Sequence, residues 1–171
     1  EDVVVWACDY FDKHIDTKNW TVDMLVYVCD HVKERVQSFG RSLITKHFSE
    51  EKGLPLLLKL QEHPTKEMQF FVTNYLKEYA TDNVPVILKL ESYFKTTLFY
   101  INTNRSTKTR VYSFLEQESK KYKEVALMSV RILISILGSK TITDRDYILD
   151  ILLMITETYN DVEVPLTIKE I

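Results

Sequence analysis

The chain has 171 residues, of which 45% are apolar and 27% are charged, so it is long enough to bury a core and too evenly charged to be disordered. Three glycines and four prolines argue against a β-sandwich and against a glycine-rich nucleotide-binding fold, and a formal net charge of −3 gives no general reason to expect nucleic acid. No apolar run reaches the roughly 18 residues that a membrane span requires.

The first third of the chain shows apolar residues at helical spacing. A first helix is predicted over 3–15, and a strand at the β-branched start, Val3-Val4-Val5, is the alternative. Thr21 then lies where the N-cap of a second helix belongs. The pattern over 21–48 predicts two short helices with a turn at 33–35, and one long kinked helix is the alternative.

Two helices that fold back on each other over 53–80, after a loop over 49–53, lie at the centre of the predicted fold. His63 and Pro64 separate them, because proline lacks an N–H and disfavours helical geometry in the residue before it. A single stripe at three- and four-residue spacing marks the buried face of the second helix. Its members are Met68, Phe71, Val72, Tyr75, Leu76 and Tyr79.

The second half of the chain is predicted to form four helices joined by short polar turns. They cover 84–102, 107–119, 125–137 and 144–159. Asn83 or Asp82 is expected to cap the first of them, and Pro85 fits its first turn. Gly138 is predicted to end the third in a left-handed conformation, and Thr143 to cap the fourth.

A weak internal repeat runs through these helices. The stretch 35–48 aligns with 67–80 at an offset of roughly 32 residues, and 107–119 continues the series at an offset of roughly 39. A unit of two antiparallel helices with this period is typical of an α-solenoid. The pattern therefore predicts stacked helix pairs.

Two stretches resemble the HEAT and armadillo-type helical repeats, in a degenerate form. One is His63-Pro64…Met68…Phe71-Val72…Tyr75-Leu76, and the other is Ala126-Leu127-Met128-Ser129-Val130-Arg131-Ile132-Leu133…Leu137-Gly138. The resemblance implies an all-α fold, a right-handed superhelix of about three to four antiparallel helix pairs. It implies one domain over 1–160. The tail over 161–171 alternates apolar and polar residues and contains Pro165, so it is predicted to be extended, either as a single edge strand or as an arm on a neighbouring surface. An irregular helical bundle is the alternative.

The residue types that carry catalysis show no catalytic pattern. The four histidines are predicted to lie near helix ends, where an imidazole tolerates partial exposure. They are His14, His31, His47 and His63, and no metal-binding or nucleophile motif includes them. The two cysteines, Cys8 and Cys29, are predicted to be buried, reduced thiols of a cytoplasmic protein. We therefore expect no catalytic residue, no metal and no cofactor.

Positive charge is concentrated between 101 and 131, and negative charge follows over 141–171. An oppositely charged partner could dock on such a zone, although an ordinary solvated surface gives the same pattern. Six residues of the positive zone are taken as a candidate partner-binding surface, here called the basic set. They are Arg105, Lys108, Arg110, Lys120, Lys121 and Lys123.

The resemblance implies a non-enzymatic module that binds or scaffolds another protein. One alternative is a nucleic-acid-binding protein, because some HEAT-like proteins resemble DNA glycosylases. The other is a helical regulatory domain of a larger enzyme. Another protein is the expected partner, nucleic acid is a less favoured one, no membrane is expected, and the oligomeric state is open.

Overall fold

The computed structural model describes residues 2–47, 50–60, 63, 65–100, 103–138 and 144–166. The structure is about 80% helical, and its described residues contain no strand, which confirms the all-α prediction. The described helices are α1 (Asp2–His14), α2 (Val22–Cys29), α3 (Glu34–His47), α4 (Glu50–Leu60), α5 (Lys66–Ala80), α6 (Val84–Lys89), α7 (Glu91–Phe99), α8 (Arg105–Lys121), α9 (Lys123–Leu137) and α10 (Arg145–Thr158).

The helices fall into two compact units. Unit 1 is Glu1–Leu60 and contains α1 to α4, and unit 2 is Gln61–Ile171 and contains α5 to α10. The single domain over 1–160 stays a prediction. In the tail, 162–166 has no regular secondary structure, and 167–171 lies outside the described residues.

Side-chain caps fix several helix starts as the sequence predicts. Thr21 Oγ1 accepts the Met24 N–H at 3.3 Å and opens α2. Asn83 Oδ1 accepts the Val86 N–H at 3.4 Å and opens α6. Each cap satisfies a backbone donor that the first helical turn leaves without a partner.

Two short helices, rather than one long one, cover the stretch after Thr21. The chain leaves helical geometry after Cys29 and resumes it at Glu34, so the predicted turn lies slightly earlier than 33–35. This confirms the two-helix interpretation.

Three predictions about helix ends are wrong. The loop over 49–53 is helical from Glu50. Pro55 lies inside α4 at an exposed position, although proline has no N–H to donate to the helix. The single helix over 84–102 is broken at Leu90, whose N–H is shared between the carbonyls of Val86 and Ile87 at 3.2 and 3.0 Å. Gly138 is right-handed, with φ −68° and ψ −15°.

The predicted cap at Thr143 lies outside the described residues. Asp144 occupies the N-cap position of α10, without a side-chain hydrogen bond to the helix.

Side-chain pairs join helices at a nearly constant separation along the chain. These pairs are Asp12 with Lys46, Asp23 with Lys59, Gln69 with Asn104, Asn74 with Arg110, Lys123 with Asp161 and Glu91 with Arg131, and they are separated by 34 to 40 residues. The Asn104 N–H, just before α8, donates to Gln69 near the start of α5, and the Asp82 N–H, just after α5, donates to Glu118 near the end of α8. Because start is joined to start and end to end, α5 and α8 run parallel.

Within each unit, helices pack mainly on helices that are close to them in the sequence. In unit 1, α1 packs on α3 and α2 packs on both α3 and α4. In unit 2, with α6 and α7 counted as one kinked helix, each described helix packs extensively on the next helix or the next but one. Stacked helix hairpins produce this pattern, because each repeat contacts only its neighbours. The handedness of a superhelix stays a prediction.

Candidate functional site

Helix α1 is apolar on its outer side as well as on its packed side. Val3 is 76% exposed and Trp6 is 64% exposed. The rings of Trp6, Tyr10 and His14 follow each other along the helix, with centroids 5.3 Å apart for the first pair and 4.5 Å for the second. Large apolar side chains rarely lie next to each other on a solvent-exposed surface unless something binds there.

An apolar groove of about 370 Å³, here called the α1 groove, lies between α1 and the hairpin of α2 and α3. Its lining side chains are Val3, Val4, Ala7, Cys8, Phe11, Trp20, Val28, His31, Lys33, Val36 and Phe39. Two further depressions adjoin it. One of about 560 Å³ shares Val4 and Lys33 with the groove, and one of about 230 Å³ shares Cys8 and Phe39.

The wall opposite α1 is a tight hairpin. At Gly40, a Cβ would lie 2.8 Å from Cys29 Sγ and 2.9 Å from the Cys29 backbone nitrogen. Only glycine permits so close an approach of α3 to α2 without displacement. The two helices therefore form a firm support, whereas α1 rests mainly on α3.

The turn between α2 and α3 holds the charged rim of the groove in place. His31 Nδ1 accepts the Lys33 N–H at 3.0 Å, and Gln37 Nε2 donates to the His31 carbonyl at 2.8 Å. Lys33 and Arg35 are exposed, and neither forms an ion pair with any described residue. The groove thus has apolar walls and two available cations at one rim.

Thr17 and His47 connect the loop after α1 to the end of α3. Thr17 is buried, and its hydroxyl is hydrogen-bonded to His47 Nε2. Desolvation by burial, reinforced by the positive charges of Lys46 and Lys52, lowers the pKa of the His47 imidazole. The uncharged form of the imidazole is therefore favoured in the folded protein.

The structure places the basic set on α8 and the start of α9, and neighbouring groups engage five of its six members. Lys108 is 7% exposed and lies 3.6 Å from Asp144, and Arg110 lies over the Phe70 ring and bonds Asn74. The other three engaged members form ion pairs, Lys120 with Glu116, Lys121 with Asp82 and Glu118, and Lys123 with Asp161.

Arg105 is exposed, and its side chain forms no hydrogen bond or ion pair with a described residue. A partner would have to compete with carboxylates for most of the set. Partner binding at these six residues stays a prediction.

The cysteines and histidines lie where the sequence predicts. Cys8 and Cys29 are free and buried, and desolvation raises the pKa of the Cys29 thiol from 9.0 to about 12, which makes it a poor nucleophile at neutral pH. Each of the four histidines lies at or next to a helix end. Within the described part of the chain, no three His, Cys, Asp or Glu side chains gather as metal ligands would.

The α1 groove was not predicted from the sequence. The sequence signal that could have indicated it is the distribution of apolar residues around α1. Val3, Trp6 and Tyr10 lie on one side of that helix, and Val4, Cys8 and Phe11 lie on the other. A helix that is apolar on both sides must be covered on both sides or must bind something.

Comparison of the chain with models of protein families, with curated proteins and with solved structures finds no match. None of the described helices is both long enough and apolar enough to cross a lipid bilayer.

Proposed function

We propose that this chain is a non-enzymatic protein-interaction module, in which HEAT-like helix pairs present the α1 groove to another protein. The observation that carries the proposal is the groove itself, an apolar channel whose lining includes Val3 and Phe11, which are 76% and 42% exposed. Such channels bind the apolar side of a partner segment, and aromatic side chains at their rim supply much of the binding energy.

The chemistry of the groove favours binding over catalysis. Its apolar lining offers dispersion contacts and release of water, and its titratable side chains are Cys8, His31 and Lys33. These three do not form a nucleophile and base pair, because Cys8 is buried on α1 and the Nδ1 of His31 already accepts the backbone N–H of Lys33. The groove therefore supports recognition.

The regular pairing of helices supports a scaffold. Hydrogen bonds between residues 34 and 35 positions apart join α1 to α3 and α5 to the start of α8, as expected for stacked repeats that present side chains at regular spacings. A preorganised surface loses little conformational entropy when it binds, and this favours a partner that docks without reshaping the module.

Site-specific photo-crosslinking tests the proposed function. A photoreactive phenylalanine analogue replaces Tyr10, which precedes the groove-lining Phe11 on α1, and in a control protein it replaces the exposed Tyr100 of unit 2. After irradiation in cells of the native host, position 10 is expected to give a discrete crosslinked protein that position 100 does not give. Identical products from both positions, or no product from position 10, would contradict the proposal.

A further inference from the structure

Helix α10 carries an apolar stripe flanked by carboxylates on its solvent side. Leu149 and Leu153 are 45% and 59% exposed and lie one helical turn apart, so they form a small contiguous apolar patch. Asp146, Asp150 and Glu157 lie on the same side of the helix, because steps of three, four and seven residues return to one face. We call these five residues the α10 face.

The carboxylates of the α10 face are available to a partner. All three are exposed, and none forms an ion pair with another described residue. The opposite side of α10, with Ile148, Ile151, Leu152 and Ile155, is buried in unit 2, so the helix is held firmly while its outer side stays open. The α10 face is therefore a preformed amphipathic helix with acidic flanks.

The α1 groove has the complementary chemistry. Its apolar walls fit leucine side chains. Lys33 in its lining and Arg35 in the adjoining depression, neither of which forms an ion pair with a described residue, match the aspartates beside those leucines. The turn that carries Lys33 is fixed by the hydrogen bonds of His31. An amphipathic helix in an apolar groove is a common mode of protein recognition, with charges at the rim setting its orientation.

We propose that the α10 face of one copy of this chain docks in the α1 groove of a second copy, with Leu149 and Leu153 against the apolar walls and Asp146 and Asp150 facing Lys33 and Arg35. This inference rests on the proposed function, because it takes the groove as a protein-docking site. The contact joins two different surfaces, so each added copy brings a new groove and a new α10 face. Such a heterologous contact adds copies without limit unless the rotation between copies closes a ring.

Sedimentation velocity over about a hundredfold range of protein concentration is the first test. The mean mass of the wild type is expected to rise with concentration. Leu153→Asp removes apolar contact and Lys33→Glu reverses a rim charge, so each is expected to raise the dissociation constant at least about tenfold. The matched controls are Leu127→Asp, at a 41% exposed leucine of α9, and Lys77→Glu, at an exposed lysine of α5, and both should assemble like the wild type.

Mixing the two interface variants tests the heterologous geometry. Lys33→Glu keeps an intact α10 face, and Leu153→Asp keeps an intact groove, so the mixture is expected to form dimers although neither variant assembles alone. A wild type that stays monomeric, interface variants that assemble normally, or a mixture that forms no dimer would each overturn the inference. Circular dichroism of every variant confirms that it is folded.

Zero-length crosslinking of a mixture of unlabelled and ¹⁵N-labelled protein identifies the contact directly. Lys33 is expected to couple to Asp146 or Asp150 in peptides that combine both isotopes, whereas coupling only within one copy would overturn the inference. A monomeric wild type whose position 10 still captures another protein rejects self-docking and leaves the proposed function standing. Loss of both signals rejects both.

Discussion

Gly40 shows how a single hydrogen atom in place of a side chain determines the spacing of two helices. Its neighbours are Cys29 Sγ and the Cys29 backbone nitrogen, and the latter cannot rotate away. The sequence indicated a helix through this position but gave no reason for glycine there. That reason exists only once α2 and α3 are packed.

We expect Gly40→Ala to destabilise the protein, because the added Cβ would meet backbone at 2.9 Å. The clash costs about 1–3 kcal/mol, and the better helix propensity of alanine returns only about 1 kcal/mol. Urea unfolding measures the net loss. Gly138→Ala is the matched control, because its Cβ would make ordinary contacts at 3.7 and 3.9 Å, and it should be neutral or slightly stabilising. Equal effects at both positions would contradict this account of Gly40.

The contact of His47 with Thr17 predicts a dependence of stability on pH. The folded state holds the pKa of His47 below its ordinary value of 6.5, so the unfolded chain takes up a proton first as the pH falls. This contribution to stability is therefore complete above about pH 6.5 and is lost towards lower pH, until the lowered folded pKa is passed.

Urea unfolding at about pH 7.5 and about pH 5.5 measures the effect of His47. The midpoint of the wild type should fall at the lower pH by more than that of His47→Gln, which keeps a hydrogen-bonding group and cannot titrate. Equal shifts in the two proteins would show that other groups determine the pH dependence.

At the scale of the element, α9 is the core of unit 2. Eight of its side chains are buried, among them Ser129, which satisfies its hydroxyl by bonding Ser119 at 3.0 Å. The sequence predicted this burial because α9 is apolar almost all round. It also predicted the capped helix starts, since a polar residue before an apolar run has a local cause.

Leu133→Asp is expected to unfold unit 2, because Leu133 is fully buried and an unpaired carboxylate in a core costs several kcal/mol by order of magnitude. Thermal unfolding followed by circular dichroism measures this loss. Leu127→Asp on the same helix should keep nearly the wild-type melting temperature, because Leu127 is partly in water. A folded and equally stable Leu133→Asp protein would show that α9 is not the core.

The breaks inside predicted elements could not be read from the sequence. Leu90 separates α6 from α7 without glycine or proline, since its side chain is fully buried and its N–H is shared between two carbonyls. Pro55 lies within α4 because Leu56, Leu57 and Leu60 are buried on the helix that contains it. In both places tertiary packing outweighs local preference.

For the whole molecule, the sequence predicted an all-α chain of stacked helix pairs, and the class is confirmed. The side-chain pairs between helices are separated by 34 to 40 residues, close to the two offsets of the internal repeat. The charged surface was harder to predict, because sequence counts charges and does not show their partners. Lys121 and Glu118, three residues apart on α8, bind each other at 2.9 Å and neutralise part of the basic set.

These ion pairs predict weak binding of nucleic acid. A surface that contacts several phosphates loses affinity by orders of magnitude as salt rises, because counterions are released on binding. Fluorescence anisotropy with labelled duplex DNA, at low and at moderate salt, should show no steep dependence on salt. Tight binding at low salt that Arg105→Ala and Arg110→Ala together abolish would favour the nucleic-acid alternative.

The 34- to 40-residue reach of the paired side chains has a consequence for how the chain folds. Ties of this length close only short stretches of polypeptide, so little chain entropy is lost before the first favourable contacts form. Because each repeat contacts only its neighbours, each hairpin can begin to fold independently and recruit the next. A nascent chain could therefore start to consolidate its first hairpins while later residues are still being synthesised.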